Sequence, residues 1–437
     1  MKWLIYNIVF FFAYLALMPH FLRRMWRRGG YRRGFFERIG RFSGDLPARL
    51  GARRRVWIHA VSVGEMYVAM RIAREMRERR PGLAFVFTVT TSTGRAVAEK
   101  QIEKDDVLLY FPVDTPWVVR RVLNAVQPLA LVLVETEIWP NLLRALSRRR
   151  IPVILVNGRI SDRSFRGFKR LRVFVREIFG ALDLVCVQGR EDSERMIGLG
   201  ARPERVHVMG TAKYDEAAAA GTVLPPTDVL RRAGFPVDAI LLVGGSTWPG
   251  EETVLLDLCR RLQAAHPRLR LVLVPRHAER AAEVVAEIEK AGLRGVRRSL
   301  LGGAANAPAP AEVLLVDTTG ELKSFYAAAD IVFVGKSLTQ HGGQNIIEPA
   351  ALGKPVIAGP NMENFRPVMA DFLAAGAVLQ VPDAAALGVA VERLLGDPSA
   401  RAEYARIGRD LVRGKAGVVK ATVSLIAETC PALFARH

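Results

Sequence analysis

Carboxylates and small residues recur in this chain where apolar runs end. His59-Ala60-Val61-Ser62-Val63-Gly64-Glu65 follows one such run, and His341-Gly342-Gly343-Gln344-Asn345-Ile346-Ile347-Glu348-Pro349 follows another. Glycine lets a backbone come close to a ligand. An acid at a helix start either favours the helix dipole or serves as a base toward a substrate hydroxyl; Glu65 is open to both readings. In the second turn, Asn345 can cap the next helix, whose N-terminus presents partial positive charge to a phosphate. Glu348, one turn further, can accept hydrogen bonds from ribose hydroxyls.

Three further segments carry chemistry. Glu135 and Glu137, in Val134-Glu135-Thr136-Glu137-Ile138-Trp139-Pro140, stand two apart directly after an apolar run, an unusual pattern for plain solvation. No His or Asp cluster accompanies them, which argues against a metal pair. Lys213, in Gly210-Thr211-Ala212-Lys213-Tyr214-Asp215, reads either as a solvated loop lysine or, from its place at the domain junction, as a contact for an anionic substrate. Arg276, in Pro275-Arg276-His277, can hold a phosphate or carboxylate by its fork of donors. His277 fits either a helix cap or a base-stacking residue. The chain has no GxxxxGK[ST] phosphate loop and no GxSxG elbow; Gly335-Lys336-Ser337 lacks the required earlier glycine.

The elements that must position these residues alternate between strand and helix. Apolar strand-like runs cover 56–59, 84–90, 107–111, 129–134, 153–156 and 182–187, and helical periodicity covers 67–80 and 94–104. The pattern restarts at 239–243, followed by the turn Gly244-Gly245-Ser246-Thr247. It continues through 269–274, 313–316 with Thr319-Gly320-Glu321-Leu322 after it, 331–334 and 355–358, with a helix at 387–395. Such alternation specifies parallel sheets covered by helices, and ligands bind beyond the carboxyl ends of their strands. Residues 217–226, with tandem prolines, read as a linker or hinge, and 299–312 as a loop. The expected organisation is a segment 1–43, a domain 44–215, a linker 216–235 and a domain 236–437 whose last helix can pack back on the first domain.

Bulk properties narrow the partners. Sixty-three Lys and Arg against 43 Asp and Glu leave +20 over 437 residues, which favours an anionic substrate or surface. The three cysteines, Cys186, Cys259 and Cys430, show no metal spacing and point to a reducing compartment; Cys186 reads as a small core residue. Residues 3–18 are almost wholly apolar, and eight arginines fall between 21 and 41. Charge behind the apolar run opposes a cleaved signal peptide. A short span or an interfacial helix on an anionic membrane is expected, with the body on the cytoplasmic side.

Taken together, His59 to Glu65, Glu135 to Asn141, Gly210 to Asp215, Pro275 to His277, Asp317 to Leu322 and Gly342 to Glu348 resemble the 3-deoxy-D-manno-octulosonic acid (Kdo) transferases of lipopolysaccharide synthesis. The resemblance implies a GT-B fold, with an acceptor domain and a sugar-nucleotide domain facing a cleft. It implies transfer of Kdo from CMP-Kdo to a lipid A precursor (lipid IVA) at the inner membrane, with no cofactor and no metal at the transfer step. By motif, Glu65 would be the base, and Glu135 and Lys213 would support the transition state. Arg276, His277, Thr319, Gly320, Glu321, Asn345, Ile346, Ile347 and Glu348 would bind CMP. Gln344 stands where the family commonly has His; it keeps hydrogen bonding without charge. Two other readings fit parts of the chain: a membrane-surface transferase with another donor such as a UDP-sugar, and a non-catalytic anionic-lipid tether. No nucleic-acid motif appears, and nucleic acid is not an expected partner.

Overall fold

The computed structural model describes residues 2–28, 34–219, 221–302 and 309–435. It divides into two compact units, Met1–Ala212 with Gly417–His437, and Lys213–Ala416. Arg32 and Arg33 of the basic collar and residues 303–308 of the expected loop lie outside the described residues.

The first unit is built on seven parallel strands: β1 (Val56–His59), β2 (Phe85–Val89), β3 (Val107–Tyr110), β4 (Leu131–Val134), β5 (Val153–Gly158), β6 (Leu184–Val187) and β7 (Val206–Val208). Their order is β3-β2-β1-β4-β5-β6-β7. β1 to β6 are buried along their whole length, as expected for Val- and Leu-rich strands covered on both faces. Progress along the sheet reverses between β1 and β4, where Trp57 pairs with Leu131 and His59 with Leu133. The carboxyl ends of those two strands carry Glu65 and Glu135.

Helix Val63–Arg79 covers one face because Met66, Ala69, Met70, Ala73 and Met76 recur at helical spacing and are all buried. Helix Val418–Thr429 packs beside it, and Val419, Val423 and Ile426 complete the same apolar cluster. Cys186 lies in that cluster too, and burial pushes its thiol up to about 12. It is a core residue and not a nucleophile.

The amino-terminal helix Lys2–Arg28 is seated on the first unit by its first two turns. Trp3 and Tyr6 pack on Phe174, with ring centroids at 4.8 and 5.2 Å. The Tyr6 hydroxyl donates to Asp114 at 3.1 Å, and Asn141 donates to Asn7 at 2.8 Å. Burial pushes the Asp114 carboxyl up to about 7, against the backbone amides of Asn141 and Leu142 that bond it. Leu4, Ile5, Ile8, Val9, Phe11, Phe12, Leu15 and Leu17 stay exposed. Among the described residues no helix is long and apolar enough to cross a membrane, so the expectation of a span finds no support.

The second unit repeats the architecture with β8 (Ile240–Thr247), β9 (Leu269–Pro275), β10 (Gly295–Arg297), β11 (Val313–Leu315), β12 (Ile331–Val334), β13 (Val356–Ala358) and β14 (Leu379–Gln380). These are parallel in the order β10-β11-β9-β8-β12-β13-β14. Here the reversal falls between β8 and β12, with Val334 beside Gly245. The sequence places a turn at Gly244 to Thr247, but β8 runs through all four residues. Gly245 is required inside it because a Cβ there would lie 2.1 Å from the Tyr326 hydroxyl. Residues 216–235, where the sequence suggests a linker, include helix Thr227–Arg232 and bury Ala233 and Phe235 in the second unit's core.

Candidate functional site

In the first unit the structure gathers three carboxylates at the reversal point. Glu65 sits in the first turn of helix Val63–Arg79. The Ser62 hydroxyl accepts from the Glu65 amide at 3.3 Å, and Glu65 Oε2 reaches back to the Val61 amide at 2.8 Å. This reciprocal capping fixes the side chain at the helix start. Oε2 thus caps the chain, while Oε1 carries no hydrogen bond among the described residues.

Glu135 follows β4 in a left-handed conformation, φ 60°, which a residue with a Cβ adopts only where its surroundings hold it. Its amide donates to the Val156 carbonyl, and its carbonyl accepts from Glu137. The resulting kink turns the Glu135–Glu137 segment back at the strand end. Glu137 is pushed up to about 7, first by burial, then by the charges of Glu65 and Glu135. Among the residues that the sequence analysis assigns no specific role, Glu137 responds most directly to the other two acids. Its position two residues after Glu135 was the available signal.

His59, the first residue of the motif, is fully buried under Phe111, with ring centroids 3.8 Å apart. Burial pushes it down to about 3, so the ring is neutral. Its Nδ1 lies 3.1 Å from the Thr88 carbonyl, which can only accept, so Nδ1 carries the proton. His59 is thus a buried, neutral side chain at the end of β1.

Lys213 belongs to the second unit. Its ammonium lies 4.3 Å from the centroid of Phe365, and its charge acts on Glu348. Glu348 is raised above the usual carboxylate range by burial, opposed by Lys323 and by a 3.0 Å hydrogen bond from Asn345. The structure thus brings Lys213, Asn345 and Glu348 together. The Asn345 side-chain oxygen accepts from the Ile347 amide at 3.1 Å, from one residue outside the helix N-cap at Ile346, which makes no side-chain cap of its own. The helix it opens, Ile347–Ala351, has only five residues, which leaves individual amides and little summed dipole for a phosphate. Ile346 and Ile347 are fully buried, so only their backbones could meet a ligand.

Gly342 and Gly343 have φ of 117° and 70°. A Cβ on Gly343 would fall 2.4 Å from Met362 Sδ, so the turn requires glycine there. Thr319 and Gly320 are exposed after β11, while Glu321 pairs with Arg298 at 3.0 Å. Arg276 and His277 are exposed beyond β9, and His277 meets Trp248 edge-on at 5.4 Å.

Glu251, which sequence reasoning passed over, is fully buried. It accepts four backbone hydrogen bonds, from Trp248 (2.9 Å), Lys336 (2.8 Å), Ser337 (2.9 Å) and Leu338 (3.0 Å). One carboxylate thereby ties together the segments that leave β8 and β12. An acid opening a helix after Gly-Gly-Ser-Thr was its signal.

Two parallel-sheet Rossmann-like units, with acids beyond one sheet and a glycine turn beyond the other, fit the GT-B class of glycosyltransferases. Residues 33–216 match the family model described as 3-deoxy-D-manno-octulosonic-acid transferase (kdotransferase), and residues 252–411 match glycosyl transferases group 1. The chain is 36% identical to the 3-deoxy-D-manno-octulosonic acid transferase of Bordetella pertussis over 96% of this chain and 98% of that one. It is 33% identical to that of Haemophilus influenzae over 91% of each. Its fold is similar to Anabaena HepE solved in complex with UDP, with TM-score 0.60, 16% identity, and coverage of 86% of this chain and 100% of that one. The chain belongs to the 3-deoxy-D-manno-octulosonic acid transferase family: it is an enzyme that transfers Kdo in lipopolysaccharide biosynthesis.

Proposed function

We propose that the enzyme moves Kdo from CMP-Kdo to lipid IVA, with Glu65 as general base and no metal at the transfer step. Glu65 takes the proton from an acceptor hydroxyl. That oxygen bonds to the anomeric carbon of Kdo, and CMP leaves with the electron pair of the broken bond. The observation that carries this reading is the state of Glu65: one oxygen is pinned by the Val61 amide and the other is unbonded, beside two further acids. A carboxylate oxygen held at a fixed helix start can take a proton from a hydroxyl that docks beside it.

Glu135 and Lys213 support the transition state in this reading. Arg276, His277, Thr319, Gly320, Glu321 and the backbone and side chains from Asn345 to Glu348 hold CMP. Cationic and amide donors directed at the phosphate would stabilise the leaving group. The amino-terminal helix places its exposed apolar face on the cytoplasmic surface of the inner membrane, beside a lipid acceptor.

The test is transfer by the detergent-solubilised full chain, given CMP-Kdo and lipid IVA, with product masses read by mass spectrometry. Glu65→Gln is the informative variant, because glutamine's carbonyl oxygen can still accept from Val61 while losing the base. It is expected to fold normally and to lose at least about 100-fold in rate. Transfer should persist in EDTA. Wild-type rates in Glu65→Gln would remove Glu65 from the mechanism, and loss of transfer in EDTA, restored by a divalent ion, would refute metal independence.

A further inference from the structure

We infer that Lys336 binds the phosphate of the sugar nucleotide; this rests on the donor reading above. Lys336 leaves β12 at the point where the second sheet reverses, beside the carboxyl end of β8 and the Trp248 that follows it. In an open parallel sheet that crevice is where ligands bind.

Three features set Lys336 apart. Its backbone is left-handed, φ 57°, a conformation that glycine adopts freely and lysine does not. The conformation is imposed from below, since the buried Glu251 carboxylate accepts its amide and those of the next two residues. It is linked to the glycine turn above, since its carbonyl accepts from Gly343 at 2.9 Å. Strain of this kind is kept where it aims a side chain.

The ammonium is aimed at the same turn. It lies 4.6 Å from the centroid of Trp248, and a Cβ on Gly342 would meet Nζ at 3.5 Å. Among the described residues no carboxylate pairs with Lys336. Trp248 also meets His277 edge-on, and among the described residues its buried indole nitrogen has no hydrogen-bond partner. A half-buried cation held on an aromatic ring beside a Gly-Gly turn, with no counter-ion, is a site for a phosphate oxygen. It also places positive charge in the turn where Gln344 supplies none.

Isothermal titration of the full chain in detergent, with CMP and with cytidine, tests this. Lys336→Met keeps the stem on Trp248 and removes the charge; Lys336→Gly relaxes the backbone and removes it too; Lys336→Arg restores it. Circular dichroism and melting confirm that each variant is folded. The expected result is about a tenfold loss of CMP affinity in both uncharged variants, recovery in Lys336→Arg, and unchanged cytidine binding. Equal losses for CMP and cytidine would make Lys336 a structural residue and overturn the inference. Unchanged CMP affinity in Lys336→Met and Lys336→Gly would overturn it as well. A wild-type chain that binds no CMP would instead bring down the donor reading, and the inference with it.

Discussion

Replacing Glu137 by Gln should make the first unit more stable at pH 8 and leave it unchanged at pH 4. Glu137 is raised from its ordinary 4.5 to about 7, chiefly by burial, then by Glu65 and Glu135. Below pH 4.5 the group is neutral whether the chain is folded or not, and it costs nothing. Between 4.5 and 7 the unfolded chain ionises it while the folded chain keeps it protonated, so stability falls with rising pH. Above 7 the loss is complete. A displacement of about 2.5 pH units at 1.36 kcal/mol each gives about 3 kcal/mol. Glutamine has the same shape and does not titrate, so the variant lacks this loss. Urea unfolding of both proteins from pH 4 to 9 should give a stability difference that grows between pH 4.5 and 7 and then levels off. Two units need not unfold together, so the quantity to read is the transition that the substitution moves. A difference that does not vary with pH would refute the reasoning.

Other perturbations probe the glycine turn, the acid beneath it and the amino-terminal helix. Glu251→Gln replaces one acceptor oxygen by a donor facing two backbone amides; a loss of about 1–3 kcal/mol in the melting of the second unit is expected, and unchanged melting would show that the four bonds are dispensable. Gly343→Ala puts a Cβ against Met362 at a left-handed position, which should cost about 1–3 kcal/mol and weaken CMP binding; full CMP affinity would argue against the turn as a nucleotide site. Ile8→Asp with Phe12→Asp alters only the exposed face of the amino-terminal helix. At about 1.5–3 kcal/mol per buried large apolar side chain, co-flotation with anionic liposomes should fall more than tenfold without a change in melting, and intact flotation would remove that face from membrane binding.

The alternation of strands and helices was legible because parallel strands buried on both faces must be continuous apolar runs, as in Leu131–Val134 and Ile331–Val334. Boundaries were less so. β8 continues through Gly244 and Gly245 because tertiary packing against Tyr326 outweighs the glycines' preference for turns. The acids at strand ends stood out by composition, but which of them share one field did not, since Glu65 and Glu137 are far apart in sequence. Glu251 and Lys336 were invisible as a pair for the same reason. Their link is the Glu251 carboxylate accepting the amides of Lys336, Ser337 and Leu338, which no local pattern encodes. The burial that keeps His59 neutral is equally nonlocal, since Phe111 covers its ring.

The path of the chain through the first unit has a consequence for synthesis. Helix Val418–Thr429 and the turn after it supply Val419, Val423, Ile426, Cys430 and Leu433 to a core whose other buried residues all precede 213. The ribosome produces them only after the whole second unit. The second unit, by contrast, is one continuous stretch whose two ends meet at Asp371, bonded by Tyr214 at one end and Lys415 at the other. It can therefore close while the first unit still shows an uncovered apolar strip along helix Val63–Arg79. The part encoded first is the part completed last, and until then it is the natural client for a chaperone.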